Sequence, residues 1–175
     1  MNKSSFIALL LLAASPAGAE LQITLQPTDL TVNAGTDVYL RVNATSSVSP
    51  LSVQWRRNGT PISSDFGRQW VLEFEEVDAG DSGDYDAVVS DPVASVTSAV
   101  ARLRVVPAPP RFTTFSVSGT VYLGGPMTLV TYAKGTQPIA YRWFKDDAPL
   151  AGATSTQYRT TNIVAADAGD YFVVA

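Results

Sequence analysis

Residues 81–85 read Asp-Ser-Gly-Asp-Tyr and follow a tryptophan, Trp55, that stands among alternating apolar residues. A second copy reads Asp-Ala-Gly-Asp-Tyr at residues 167–171 and follows Trp143. The tryptophan and the tyrosine are separated by 30 positions in the first copy and by 28 in the second. A pattern that returns at a fixed period marks repeated structural units. We therefore predict two tandem domains of one kind.

The segments around both motifs alternate apolar and polar residues with the period of a β-strand. Residues 38–44 are apolar at every even position, and turn residues separate such segments every eight to twelve positions. This spacing is typical of an all-β sandwich. We expect one core in the first domain, formed by Val42, Trp55, Leu72, Phe74, Tyr85, Ala87 and Leu103.

The repeated motif resembles that of immunoglobulin-like domains, in which a tryptophan of strand C packs in the core and a tyrosine corner opens strand F. The resemblance covers nearly all of residues 21–175 and is closest to I-set domains. It implies two consecutive antiparallel β-sandwiches. It also implies structural roles for Trp55, Asp81, Gly83 and Tyr85 in the first domain and for Trp143, Asp167, Gly169 and Tyr171 in the second.

Both domains depart from the disulfide-bonded form of that family, because the chain has no cysteine. The family's cysteine positions hold Val42 and Ala87 in the first domain, and Thr131 and Val173 in the second. A disulfide in such a loop contributes about 2–4 kcal/mol, so packing around the tryptophans must supply more of the stability. Cysteine-free tandem copies of this kind resemble the repeats of bacterial exported proteins more than those of animal adhesion receptors.

The ends of the chain and a proline-rich segment predict the domain boundaries. Residues 1–19 have the basic, apolar and small-residue regions of a signal peptide, so we expect an exported protein that is extracellular, at the cell surface or periplasmic. Residues 107–110 read Pro-Ala-Pro-Pro and predict a linker between domains at 20–106 and 111–175. The second domain stops within strand F and lacks strand G, so we expect the sequence to be a fragment of a longer protein.

Composition excludes several kinds of function. The chain has no histidine and no cysteine, which removes nucleophiles partnered by histidine and all thiolate or imidazole metal sites. The net charge is −4 with no basic stripe, which argues against nucleic acid and anionic membrane surfaces. We predict a noncatalytic protein without cofactors. Any membrane attachment would come from sequence outside this chain.

An acidic segment at residues 75–86 raises the hypothesis of a calcium site, because calcium prefers several oxygen ligands on one loop. Strand alternation divides these carboxylates between a turn and a sheet face. We therefore predict a solvated acidic turn and no metal site, with Arg68 as the cation that pairs with Asp81.

A weak candidate for a binding surface is the outward face of strands C, F and G in the first domain, which carries Arg56, Asp86, Val88, Arg102 and Arg104. Arg56 and Asp86 should form a cross-strand pair. This face has no aromatic anchor of the kind that dominates binding energy.

Trp70 shares the parity of the core residues and is expected in the core or at its rim. Asn43 and Asn58 lie in glycosylation sequons, whose use the sequence leaves open.

The leading functional hypothesis is an exported module of immunoglobulin-like repeats for extracellular interaction, adhesion or spacing. Its partner would be a protein or a glycan at the cell exterior. The alternative is an accessory or carbohydrate-binding region of a larger secreted hydrolase.

Overall fold

The computed structural model describes residues 20–63, 65–118 and 121–175, and the predicted signal peptide lies outside the described residues. The described part of residues 20–106 consists of short strands with two 3₁₀ turns, at Asp65–Arg68 and Ala79–Asp81. The strands are Gln22–Leu25 (β1), Leu30–Asn33 (β2), Val38–Arg41 (β3), Asn43–Thr45 (β4), Ser52–Arg57 (β5), Thr60–Pro61 (β6), Val71–Phe74 (β7), Gly83–Ser90 (β8), Ser95–Thr97 (β9) and Ala101–Val106 (β10).

These strands form the two layers of a sandwich. One layer runs in the order β2-β10-β8-β5-β6, with β9 beside β8. The other contains the pairs β1–β4 and β3–β7. All pairs are antiparallel except β2 with β10, which is parallel. The predicted all-β fold is confirmed.

The strand predicted over residues 38–44 is divided into two. β3 ends at Arg41 and pairs with β7, whereas β4 begins at Asn43 and pairs with β1. Between them the Val42 N–H donates to the carbonyl of Trp70, 3.1 Å away. The inward alternation nevertheless continues, because Val42 and Ala44 are both buried.

The core of the first half is continuous and centres on Trp55, whose side chain is fully buried. The predicted core residues lie together in this cluster, with Phe74 only partly buried at its edge. Trp70 also packs against the cluster from the rim, as expected. The indole N–H of Trp55 donates to the carbonyl of Gln69 at 2.8 Å, so the only polar atom of the ring is satisfied.

The second half repeats this plan with fewer strands in its described part. Its strands are Arg111–Ser118 (β11), Met127–Lys134 (β12), Arg142–Lys145 (β13), Ala148–Pro149 (β14), Gln157–Thr160 (β15) and Tyr171–Val174 (β16). They form one sheet in the order β11-β12-β15 and another in the order β14-β13-β16. Tyr141, directly before β13, is buried, and its hydroxyl accepts the Ala133 N–H at 3.1 Å.

Trp143 is fully buried in the second core, and its indole N–H donates to the Ser155 carbonyl at 2.9 Å. Thr131, at a cysteine position of the family, is also buried. Its hydroxyl donates to the Thr114 carbonyl of β11 at 3.0 Å, which satisfies a polar atom that would otherwise destabilise the core.

Residues 107–110 contain no strand, and the sheets on either side share no strand pairing within the described residues. We therefore propose domains at 20–106 and 111–175, called the first and second domain below. In the described residues no helix has the length and apolar character needed to cross a membrane.

Candidate functional site

The two tyrosine corners have the same geometry. The Tyr85 hydroxyl donates to the Asp81 carbonyl at 2.7 Å, and the Tyr171 hydroxyl donates to the Asp167 carbonyl at 2.8 Å. Burial raises the pKa of Tyr85 above its ordinary value of 10.0. Both hydroxyls are committed to backbone four residues upstream, so neither is free for chemistry.

The aspartates of the motif close a one-turn 3₁₀ helix. The Asp81 carboxylate accepts the Asp78 N–H at 2.9 Å, and the Asp167 carboxylate accepts the Val164 N–H at 2.8 Å. The pairing of Arg68 with Asp81 was predicted wrongly, because the described residues contain no ion pair between them. The capping role needs no cation.

A basic residue two positions after each tryptophan braces the corner, and the sequence interpretation missed it. The Arg57 guanidinium donates to the carbonyls of Gly80 and Ser82 and lies 5.9 Å from the centre of the Tyr85 ring. In the second domain Lys145 donates to the Ala166 carbonyl. Alignment of the two copies on their tryptophans would have revealed this pair.

The next residue along, Asn58 or Asp146, fixes the turn after β5 or β13 to the start of β8 or β16. The Asn58 amide oxygen accepts the Asp84 N–H at 3.0 Å, and the Asp146 carboxylate accepts the Asp170 N–H at 2.8 Å. Each turn residue is left-handed, with φ of 49° and 48°.

The motif glycines make room for this contact. A Cβ on Gly169 would lie 2.5 Å from the Asp146 carboxylate, and one on Gly83 would lie 3.2 Å from the Asn58 amide oxygen.

The carboxylates of the acidic segment do not converge on one point. Asp78 caps the N–H of Gly80, Asp84 pairs with Arg102, and Asp86 pairs with Arg56. In the part of the chain that the structure describes, no group of three or more potential ligands is placed to hold a metal ion. Because these carboxylates already have protein partners, the geometry gives the calcium hypothesis no support.

Two arginines on the outward face of the first domain form ion pairs with neighbouring aspartates of the same sheet. Arg56 and Asp86 are opposite each other on β5 and β8 and form two hydrogen bonds of 2.7 and 2.6 Å. Arg102 forms a second bidentate pair with Asp84, and this hydrogen bonding lowers the pKa of Asp84. Val88 is half-buried, and Arg104 is exposed on β10. A binding role for this face stays a prediction.

The equivalent face of the second domain is aromatic. Phe144 and Phe172 are opposite each other on β13 and β16, where the first domain has Arg56 and Asp86. Their rings stack with centroids 4.8 Å apart and an interplanar angle of 1°. This exchange of a charged pair for an aromatic pair is visible in the sequence once the copies are aligned.

Charged and apolar residues surround the stacked rings. Arg142 lies on one side, with its guanidinium carbon 5.9 Å from the centre of the Phe144 ring, and exposed Val174 is opposite it. Exposed Asp146 and Asp170 lie at the other end of the same strands. We call this surface the aromatic face: Arg142, Phe144, Asp146, Asp170, Phe172 and Val174.

Comparison with known proteins agrees with this geometry. A protein-family model described as "Immunoglobulin domain" matches residues 22–90. The chain consists of two consecutive domains of immunoglobulin-like fold. Solved structures that it resembles include the tandem Ig repeats of Dlar, with 21% identity, 87% of this chain and 88% of that chain covered and a TM-score of 0.43.

Curated relatives of this immunoglobulin-like tandem include three animal proteins. Mouse hemicentin-2 is 35% identical over 55% of this chain and 2% of its own length, and human IgLON family member 5 is 30% identical over 72% and 36%. The fruit-fly cell adhesion molecule Dscam2 is 24% identical over 89% of this chain and 8% of its length. The chain spans well under half the length of these relatives. Since they are animal proteins, the predicted resemblance to bacterial exported repeats is not supported.

Proposed function

We propose that this immunoglobulin-like tandem is a noncatalytic extracellular adhesion module that binds a second copy of itself through the aromatic face of the second domain. The observation that carries the proposal is the stacked Phe144–Phe172 pair on an outward sheet face. Similarity to a protein named as a cell adhesion molecule supports an adhesive role.

Aromatic side chains on an outward face favour a protein contact. Phe172 and Val174 are 39% and 51% exposed, respectively. Aromatic residues are enriched at the centre of protein interfaces, where they bury a large apolar area with few rotatable bonds. In the first domain, the charges at the equivalent positions are already satisfied by each other. The second domain therefore offers the better contact surface.

The charge pattern of the aromatic face favours a second copy as the partner. Along the strands it places a cation, Arg142, at one end, the rings in the middle, and the carboxylates of Asp146 and Asp170 at the other end. Two copies packed face to face with their strands antiparallel bring phenylalanine onto phenylalanine. The same packing places Arg142 of each copy over the acidic end of the other, which makes the surface self-complementary.

A double exchange, Phe144→Arg with Phe172→Asp, tests this proposal because it installs the charged pair that the first domain already accommodates. We expect the dissociation constant of the dimer, measured by sedimentation velocity, to rise at least about tenfold. Circular dichroism should show an unchanged fold. Self-association as tight as that of the original chain, or a chain that stays monomeric at every concentration, would contradict the proposal.

A charge-reversal pair tests the antiparallel arrangement. Arg142→Asp and Asp170→Arg should each weaken self-association, because like charges then face each other. A mixture of the two variants should associate more tightly than either alone, because opposite charges meet again at both ends. If the mixture binds no better than the separate variants, the arrangement is wrong.

A further inference from the structure

Two side chains at the end of β12 in the second domain reach acidic groups of the first domain. Tyr132 and Lys134 project from the same side of β12, since side chains two positions apart share a face. The Tyr132 hydroxyl donates to the Glu76 carboxylate. The Lys134 ammonium lies 3.4 Å from the Asp37 carboxylate and 3.5 Å from that of Glu76. We call Asp37, Glu76, Tyr132 and Lys134 the junction cluster.

The acidic half of the cluster is built into the first domain. The Glu76 N–H donates to the Asp37 carboxylate at 3.0 Å. Glu76 adopts a left-handed backbone conformation with φ of 52°, which is uncommon for a residue other than glycine, asparagine or aspartate. Strained backbone of this kind persists where surrounding contacts hold it and often marks a functional position.

Backbone contacts close the junction from a second side. The Thr136 N–H donates to the Ala108 carbonyl at 3.0 Å, and the Ala108 N–H donates to the Thr136 hydroxyl at 2.8 Å. Gly35 approaches Gly135 so closely that a Cβ on Gly35 would lie 2.6 Å from the Gly135 nitrogen. The proline-rich linker is therefore not the only restraint between the domains.

We propose that the junction cluster is a salt-sensitive latch that holds the two domains at one angle. The acidic segment of the first domain, which the sequence presents as a calcium candidate, supplies Glu76 to this latch. The side chains of Lys134 and Glu76 are 30% and 29% exposed, so dissolved salt reaches their interaction. Screening lengths fall from about 10 Å at 0.1 M salt to about 3 Å at 1 M, which weakens the latch while the backbone contacts remain.

The absence of cysteine makes a direct measurement simple. Val93→Cys and Ala151→Cys introduce one exposed thiol into each domain for a pair of fluorescent dyes. Single-molecule energy transfer then reports the distance between the domains. For the otherwise unchanged chain we expect a single population with a narrow distribution of transfer efficiencies at low salt. This distribution should broaden at high salt.

Two variants remove opposite halves of the ion pair. Glu76→Gln keeps an acceptor for Tyr132 but loses the charge, and Lys134→Gln loses the charge from the second domain. Each should broaden the population at low salt and reduce its response to added salt. The matched control is Glu75→Gln, which makes the same charge change at an exposed neighbour that forms no ion pair within the described residues.

The outcomes separate the latch from other causes. Circular dichroism should show that all variants keep their strands, because none of the substitutions touches a core side chain. Narrow, unaltered populations for both Glu76→Gln and Lys134→Gln would overturn the proposal. It would equally be overturned if Glu75→Gln broadened the population as much, or if the unchanged chain were broad at all salt concentrations.

Discussion

At the scale of single residues, each tryptophan joins the two layers of its sandwich. Trp55 and Trp143 are fully buried, and each indole N–H donates to a carbonyl just before a strand of the opposite layer, β7 or β15. The ring therefore contributes both apolar contact and one satisfied hydrogen bond. Because the chain has no cysteine, no disulfide joins the two layers, and their attachment depends on such non-covalent contacts.

Trp55→Ala should lower the free energy of unfolding of the first domain by about 3–5 kcal/mol, as large aromatic truncations in cores do. The loss comes from the cavity and from the unpaired Gln69 carbonyl. Urea denaturation followed by circular dichroism measures it. Tyr39→Ala, at an aromatic residue of the same domain that is 45% exposed, is the control and should change stability far less. Equal effects of the two substitutions would show that Trp55 does not hold the core.

At the scale of elements, the turn after β5 and the start of β8 form one unit, as do the turn after β13 and the start of β16. Asn58 supplies a left-handed turn residue and an acceptor for the Asp84 N–H, and Asp146 does both in the second domain. The basic side chain before each of them, Arg57 or Lys145, reaches the 3₁₀ turn that precedes β8 or β16. The Asp-x-Gly-x-Tyr motif is therefore held from both sides of the corner.

Substitutions at Asn58 separate the stability that comes from its side-chain hydrogen bond from the stability that comes from its left-handed backbone. Asn58→Ala should destabilise the first domain by about 1–3 kcal/mol, since it loses a hydrogen bond and forces alanine into a left-handed conformation. Asn58→Gly relieves the backbone strain and should lose only the hydrogen bond. Asn58→Asp, which copies Asp146, should stay close to the original stability. Thermal unfolding of the three variants checks this order, and a loss for Asn58→Asp as large as for Asn58→Ala would contradict it.

At the scale of the whole molecule, the junction cluster couples the two domains through charge. The Glu76 N–H, and then Lys134, lower the pKa of Asp37 below its ordinary value of 3.8. Glu76 and Lys134 face Asp37 directly, and the charge of Asp37 contributes to a raised pKa of the nearby Tyr39 hydroxyl, whose main cause is its hydrogen bond to Glu73. The carboxylate of Asp37 is therefore ionised wherever the protein is near neutral pH.

The lowered pKa of Asp37 predicts that the contact between the two domains weakens only in acid. A carboxyl group with a lowered pKa in the folded state stabilises it above the ordinary pKa, and this contribution is lost as pH falls through the lowered value. The distribution of transfer efficiencies of the doubly labelled chain should therefore stay narrow at neutral pH and broaden in acid, as the carboxylates that face Lys134 are protonated. Asp37→Asn should broaden it at neutral pH and reduce the acid response. A junction that opens near neutral pH in the unchanged chain would contradict this assignment.

The sequence by itself determined the sandwich, its repetition and its core, because these depend on local alternation and on motifs that lie close together in the chain. Val42, Trp55 and Ala87 could be assigned inward from parity alone. Tertiary structure decided the contacts that join distant segments: the brace from Arg57, the stacking of Phe144 on Phe172, and the reach of Lys134 to Asp37 across the junction. Such contacts depend on strand register and domain angle, which no local pattern encodes, and the contact of Tyr132 with Glu76 in the acidic segment is one of them.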